Sequence, residues 1–285
     1  MAEPVFTNHP VEYFGHAYID HSDLAKKNQA AQHCPFLDSE CKKPRKSEPH
    51  IKVGICTIGD KPQFLAQRVP VVICPYRYHI QTLFDYLATH YLPTDHNSLI
   101  RWAPEVDLGL GGSVDFVMAR CKKTSPSTID DFICIEFQAA GTTGTPWKAV
   151  QEFQASRRFA STSYPYGINW ANEFAKTMMQ QVYKKGMVIG SWNKRIIFVL
   201  QDVGMTYLRE SYDVSGLHDP IEAADPIQFF TVKMEWKDSD KVWSPVPSEI
   251  VSTDLEGVRK ILAGSASGEY ITLDKFVANI TRRLR

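Results

Sequence analysis

Apolar residues recur at helical spacing between residues 80 and 91, where Ile80, Leu83, Phe84, Leu87 and Ala88 share one side of a 3.6-residue repeat. Residues 113–120 alternate apolar and polar positions, as a half-buried strand does, and residues 132–139 do so again. Helices are predicted over 148–159 and 169–185. The run Lys-Arg-Ile-Ile-Phe-Val-Leu-Gln-Asp at 194–202 is apolar at successive positions, which predicts a strand covered on both faces. A further strand is expected over 229–236 and a closing helix over 273–284. Helices alternating with strands imply a mixed α/β (α+β) layer architecture for residues 86–285.

Residues 1–85 read differently. Turn formers dominate, periodic segments are short, and Lys42-Lys43-Pro44-Arg45-Lys46-Ser47-Glu48-Pro49 forms an obvious loop. Such a segment buries too little surface to fold unaided, so a second, irregular domain held by something else is expected here. Cysteine is the available support. Four of the six cysteines lie in this region, Cys34, Cys41, Cys56 and Cys74, and two precede proline. Four thiolates fill the tetrahedron of one Zn²⁺ or Fe ion, and its binding energy becomes folding energy. The intervening stretches of six, fourteen and seventeen residues contain no Cys-x₂-Cys knuckle, so four unrelated reduced cysteines remain an alternative. His33 and His50 are possible substitute ligands, while Cys121 and Cys134 belong to the strands.

Composition adds limits. A chain of 285 residues holds one sizeable core, or one core and a satellite, and 44% apolar with 22% charged residues is ordinary for a globular protein. The absence of a long apolar run or a signal-peptide start leads us to expect a cytoplasmic protein with no membrane partner. The formal net charge is zero, but between Lys26 and His79 ten Lys/Arg stand against four Asp/Glu, and the chain ends Arg-Arg-Leu-Arg. A basic N-terminal third suits phosphate contacts.

The candidate chemistry lies on two strands. Period two sets Phe132, Cys134, Glu136 and Gln138 on one face, with Ile133, Ile135 and Phe137 on the other. Asp115 sits in the neighbouring candidate strand, Ser-Val-Asp-Phe-Val. Carboxylates in such strands are costly unless paired or bound to a cation. If the strands pair, Asp115 and Glu136 make an oxygen-only site suited to Mg²⁺ and phosphodiester hydrolysis, with Gln138 orienting water or phosphate. The competing view is a pair of solvent-facing strands. Other chemistries fit poorly. The Gly-Leu-Gly-Gly run at 109–112 precedes a strand and not a helix, the 141–145 run lacks a P-loop ending, and no Gly-x-Ser-x-Gly elbow occurs.

In order, Phe14-Gly15-His16, Cys34-Pro35-Phe36-Leu37, Gly54-Ile55-Cys56, Cys74-Pro75 with Arg77, Asp115, Glu136-Phe137-Gln138, Asn172-x-Phe174 and Gln180-x-x-Tyr183-Lys184 resemble the NotI-type restriction endonucleases. These belong to the wider PD-(D/E)xK nucleases. The resemblance implies a restriction-endonuclease-like mixed sheet flanked by helices at 86–285, beside a four-cysteine metal-binding, DNA-contacting domain at 1–85. It implies a homodimer, in a bacterial or archaeal cytoplasm, that cuts both strands of double-stranded DNA at a GC-rich palindrome using Mg²⁺. Asp115 and Glu136 become Mg²⁺ ligands, with the Phe137 carbonyl assisting. Gln138 stands where the wider family has lysine, Glu105 is a supporting acid, and the four cysteines hold one structural Fe or Zn. Arg45, Arg77, Arg157 and Arg158 are candidates for reading bases. Two alternatives remain: a non-catalytic DNA-binding protein built on the cysteine module, and a nicking or repair nuclease.

Overall fold

The computed structural model describes residues 4–109, 112–159, 163–267 and 271–283. The middle of the glycine-rich turn (110–111) and the last two residues of the chain (284–285), the first of which ends the predicted closing helix, lie outside them. The architecture is mixed α/β, organised on a six-stranded sheet. Its strands are β9 (Ser98–Asp107), β10 (Ser113–Lys122), β11 (Ser125–Gln138), β12 (Arg195–Gln201), β13 (Ile227–Lys237) and β14 (Val242–Thr253). They lie in the spatial order β14-β13-β12-β11-β10-β9. β11, β12 and β13 run parallel, while β9, β10 and β14 extend the sheet antiparallel at its two edges.

The run at 195–201 is central because it has no polar side until its last residue. Ile196, Phe198 and Leu200 meet helices α4 (Met179–Ser191), α5 (Asp202–Ser211) and α6 (Leu255–Ala263) in one core. Ile197 and Val199 join Ile133, Ile135 and Phe137 in a second core, covered by Leu83 and Leu87 of helix α2 (Gln81–Tyr91). Every full turn of α2 seen in the sequence is present, and helix α3 (Trp147–Ser156) matches its expected segment closely. The helix expected over 169–185 instead opens with a π-helical segment, Ala171–Met178, and continues as α4 to Ser191.

The N-terminal third is more regular than its sequence suggests. It carries short strands β1 (Pro10–Tyr13), β2 (His16–Ala17), β3 (His33–Cys34), β4 (Ser39–Glu40), β5 (Pro44–Arg45), β6 (Glu48–Lys52), β7 (Ile55–Asp60) and β8 (Val69–Val72), with helix α1 (Asp23–Ala30) between. Strands of two to six residues leave almost no periodicity to read. β2-β1-β7-β8 form an antiparallel sheet. Its core, with Tyr13, Phe14, Ile55 and Ile58, is shared with Ala149, Val150 and Phe153 of α3. Gln201, at the end of β12, joins this sheet to the large one: its side chain accepts from Val72 N–H at 2.9 Å and donates to Pro70 O at 2.6 Å. Ala140 N–H, just past β11, donates to Val72 O at 3.0 Å. The small sheet is thus bonded to the ends of β11 and β12. The last helix, α7 (Leu273–Thr281), buries none of its residues.

Candidate active site and cysteine cluster

β10 and β11 pair in register as far as Phe116 opposite Ile135. One residue further, Asp115 stands opposite Glu136 and the ladder changes character. Asp115 N–H donates to Glu136 Oε1 at 3.2 Å, and Phe137 N–H donates to Asp115 Oδ2 at 2.8 Å. Each carboxylate therefore occupies a backbone donor of the opposite strand. On the other side, Val114 pairs Val106 and Phe116 pairs Pro104, which sets Glu105 of β9 across from Asp115. Glu105 has φ +51°, a left-handed conformation unusual for a side chain of its kind, so the edge strand is bent where it meets Asp115. Three acids on three adjacent strands come together; for Asp115 and Glu136 this is the arrangement expected if their strands pair.

Glu136 is 6% exposed on the helix-covered face, not on a solvent face. Burial and the neighbouring Asp115 charge push its carboxyl up to about 7, against the pull of the Lys185 ammonium. Burial likewise raises Asp115, opposed by the Phe137 N–H and Lys185 and reinforced by Glu105. At both carboxylates burial is the largest cause, and a neighbouring acid adds to it. Gln138, two residues along the same face, is half-buried and its amide donates to the adjacent Ala139 O, at 3.3 Å.

A cleft of about 200 Å³ opens onto this strand edge. It is lined by Glu105 and Asp115 of the large sheet together with Leu37, Lys42, Tyr76 and His79 of the N-terminal third. The N-terminal third thus supplies a wall of the candidate site.

The four cysteines are all buried and unbridged. Cys34-Pro35 and Cys74-Pro75 make matching turns: Leu37 N–H donates to Cys34 O at 3.3 Å and Arg77 N–H to Cys74 O at 3.0 Å. In the first turn the Phe36 and Leu37 amides favour the Cys34 thiolate, and in the second the Tyr76 amide favours that of Cys74, each against the effect of burial. Burial raises Cys34, raises Cys56 far, and pushes Cys74 up to about 11. Cys41 adds to the rise at Cys34 and Cys74, and Cys74 and Cys34 to that at Cys56, so the four thiols share one neighbourhood. Buried thiols with oriented amides are a donor set that fits a thiolate-loving ion. The pieces of the sequence pattern also meet here. A β-carbon on Gly15 would collide with Pro35, and one on Gly54 with the Phe14 ring.

Among the described residues, the three donor atoms found within 4.8 Å of one another belong to His218, Glu222 and Asp225, not to the cysteines or the strand acids. Asp225 is already engaged there, accepting from His218 at 2.7 Å and Ser252 Oγ at 2.5 Å. His33 stands 3.5 Å from Asp38, and His50 supplies a backbone carbonyl to Gln32.

Two residues escaped the sequence reading. The motif lysine at 184 is exposed, whereas Lys185 is buried with its Nζ 2.7 Å from Glu136 Oε1. The signal was present: Met178, Val182, Lys185 and Ile189 fall on one buried stripe of a helix, with a charge in the middle. The second is Glu12, which holds Arg77 by bonds of 2.8 and 2.9 Å. Arg77 also donates to Trp243 O and is 3% exposed, so it is not free to read bases. Arg45 lies over the Trp147 ring beside Glu48, and Arg157 lies over Phe153 and bonds Gln29.

No protein-family model matches the chain, and a search of curated proteins finds no match.

Proposed function

We propose that this protein is a type II restriction endonuclease: a Mg²⁺-dependent enzyme that makes sequence-specific double-strand cuts in DNA at a GC-rich palindrome, acting as a homodimer. The six-stranded sheet with helices on both faces would be its restriction-endonuclease-like domain. The cysteine region, holding one Fe or Zn through Cys34, Cys41, Cys56 and Cys74, would be its DNA-contacting module. One observation carries the reading: Asp115 and Glu136 face each other between β10 and β11, with Glu105 alongside and a cleft lined by Glu105 and Asp115.

Asp115 and Glu136 are hard oxygen donors and fit a Mg²⁺ ion, which when bound supplies the positive charge that polarises a scissile phosphate. The protein's own groups do the rest. Glu105 and Asp115 present negative charge to the cleft, which a phosphodiester tolerates only beside a cation. Gln138 offers an amide that can orient water by hydrogen bonding but cannot take its proton as a strong base. In the hydrolysis a water oxygen bonds to phosphorus and one P–O ester bond breaks. The departing sugar oxygen gains a proton and the water loses one. The GC-rich palindrome rests on the resemblance of the ordered motifs.

The test is digestion of a supercoiled plasmid of known sequence with and without Mg²⁺, followed by mapping of the ends. Linear product with defined ends, lost in Asp115→Ala and Glu136→Ala, supports the reading. Variants that cut as fast as the parent protein rule it out. DNA binding without any cutting favours a non-catalytic DNA-binding protein, and open circles alone favour a nicking enzyme.

A further inference from the structure

The pair formed by Lys185 and Glu136 is an expensive one. Both side chains are buried, and taking two charges out of water costs more than a well-packed apolar pair would. α4 is built to deliver the lysine. Lys185 lies on the same buried stripe as Met179, Val182 and Ile189. The next residue, Gly186, lets the helix approach the sheet, since a β-carbon there would run into Ile227.

The lysine meets a crowd of negative charge. It touches Glu136 and acts electrostatically on Asp115, which Glu105 also faces. Three carboxylates and a phosphodiester carry about four negative charges, of which a divalent cation offsets two. The polar neighbour on the strand, Gln138, is uncharged and its amide is turned to Ala139 O. The cation that lines the cleft, Lys42, is exposed. Lys185 is the positive group placed within the acid cluster itself.

We infer that Lys185 is the active-site cation contributed by the protein. In the cation-free protein it holds Glu136 Oε1, and during cleavage its ammonium bonds the scissile phosphate, a place that a residue on β11 could have filled had position 138 been basic. This rests on the nuclease reading of Asp115 and Glu136.

Three measurements on Lys185→Met test it: single-turnover cleavage with Mg²⁺, DNA binding in Ca²⁺, and Mn²⁺ binding by electron paramagnetic resonance without DNA. Cleavage is expected to fall ~100- to 1000-fold, the loss typical of removing one charge-stabilising donor, while DNA binding stays within about threefold. Mn²⁺ binding is expected to tighten by about threefold or more, because a competing charge has left Glu136. Adding Gln138→Lys should restore at least about tenfold of the lost rate by returning an amine from the strand. If the Met variant does not fold, Lys185→Gln, which keeps a hydrogen bond to Glu136 without the charge, should show the same loss of rate.

Cleavage within about threefold of wild type in a folded variant overturns the inference. So does weakened Mn²⁺ binding, the mark of a lysine that merely braces Glu136. If the parent protein cuts no DNA, the nuclease reading fails, and the Mn²⁺ comparison alone decides whether Lys185 competes for Glu136.

Discussion

Asp115 and Glu136 sit opposite each other where β10 and β11 part, and the N–H of Asp115 is bonded to the Glu136 carboxylate at 3.2 Å. Carboxylates take up the backbone donors here, so the acids are held by backbone N–H groups before any cation arrives. Glu105 joins them only by adopting φ +51°. A side chain in that region costs on the order of 1 kcal/mol that glycine does not incur. Glu105→Gly is therefore expected to raise stability by about 0.5–1 kcal/mol while cutting the cleavage rate about tenfold or more. Urea unfolding and plasmid cleavage on the same preparation measure both. A variant less stable than the parent would show that the Glu105 side chain, and not the strand around it, sets the bend.

The cysteine region should carry one Fe or Zn ion per chain. Cys34 and Cys74 sit in matching turns with amides aimed at sulfur, yet burial keeps the thiols protonated without a metal. Elemental analysis of freshly purified protein should give about one ion per chain, and a strong chelator should lower the melting temperature. Cys56→Ala should cost several kcal/mol, enough to unfold the region around it. Metal-free protein with an unchanged melting temperature would mean that the four thiols are core residues only.

Much of this was legible in the chain. The run at 194–202 reads as a strand covered on both faces, and β12 is that strand, while period two puts Glu136 and Gln138 on one face. What stayed hidden has physical causes. β9 and β14 are edge strands with mostly exposed or alternating burial, so their patterns are weak. The N-terminal strands are too short for a period to emerge. Lys185 was hidden by its chemistry, because a lysine next to another lysine reads as solvated until the helix face is drawn. Arg77 was hidden by distance: its partner Glu12 is 65 residues away.

That arginine supports a prediction about stability and not about DNA. Arg77 and Glu12 are buried and doubly bonded, and Thr57 Oγ1 donates to the same carboxylate at 2.5 Å. Removing one partner leaves an uncompensated charge in the interior. Glu12→Met and Arg77→Met should each cost about 3–5 kcal/mol, and the two together should cost less than the sum. Chemical denaturation of the three variants measures this. Additive losses would mean that the pair does not act as a unit.

His79 predicts an acid limit. Its ring packs against Phe84, Phe116 and Phe137, and burial pushes its pKa down to about 4. The folded protein therefore holds fewer protons at this site than the unfolded chain, whose histidine titrates near 6.5. Stability from the neutral ring is fully present above about pH 6.5 and is lost as pH falls toward 4. The contribution lost between about pH 7 and pH 5 is at most about 2 kcal/mol. His79→Gln should flatten this part of the melting-temperature profile, measured against the parent. An equally steep profile in the variant would place the acid sensitivity elsewhere.

The last prediction concerns the pairing of two chains that the proposed cutting of both strands at a palindrome calls for. Leu273, Phe276, Val277 and Ile280 of α7 follow the i, i+3, i+4, i+7 pattern, and each is at least 42% exposed. Four large apolar side chains on one helical stripe, with none of the helix buried, form a surface that water covers poorly. Its ends carry opposite charges, Asp274 in the first turn and Arg282 at the C-cap. Two copies of α7 laid antiparallel about Val277 bury both stripes and bring Asp274 of each near Arg282 of the other, an arrangement that closes on itself as a twofold dimer must. Phe276→Asp puts a charge at the centre of that contact. Sedimentation at micromolar concentration should show a dimer for the parent and a monomer for the variant, and plasmid products should shift from linear to open circular. A parent protein that sediments as a monomer while still producing linear plasmid would show that α7 does not pair the two chains.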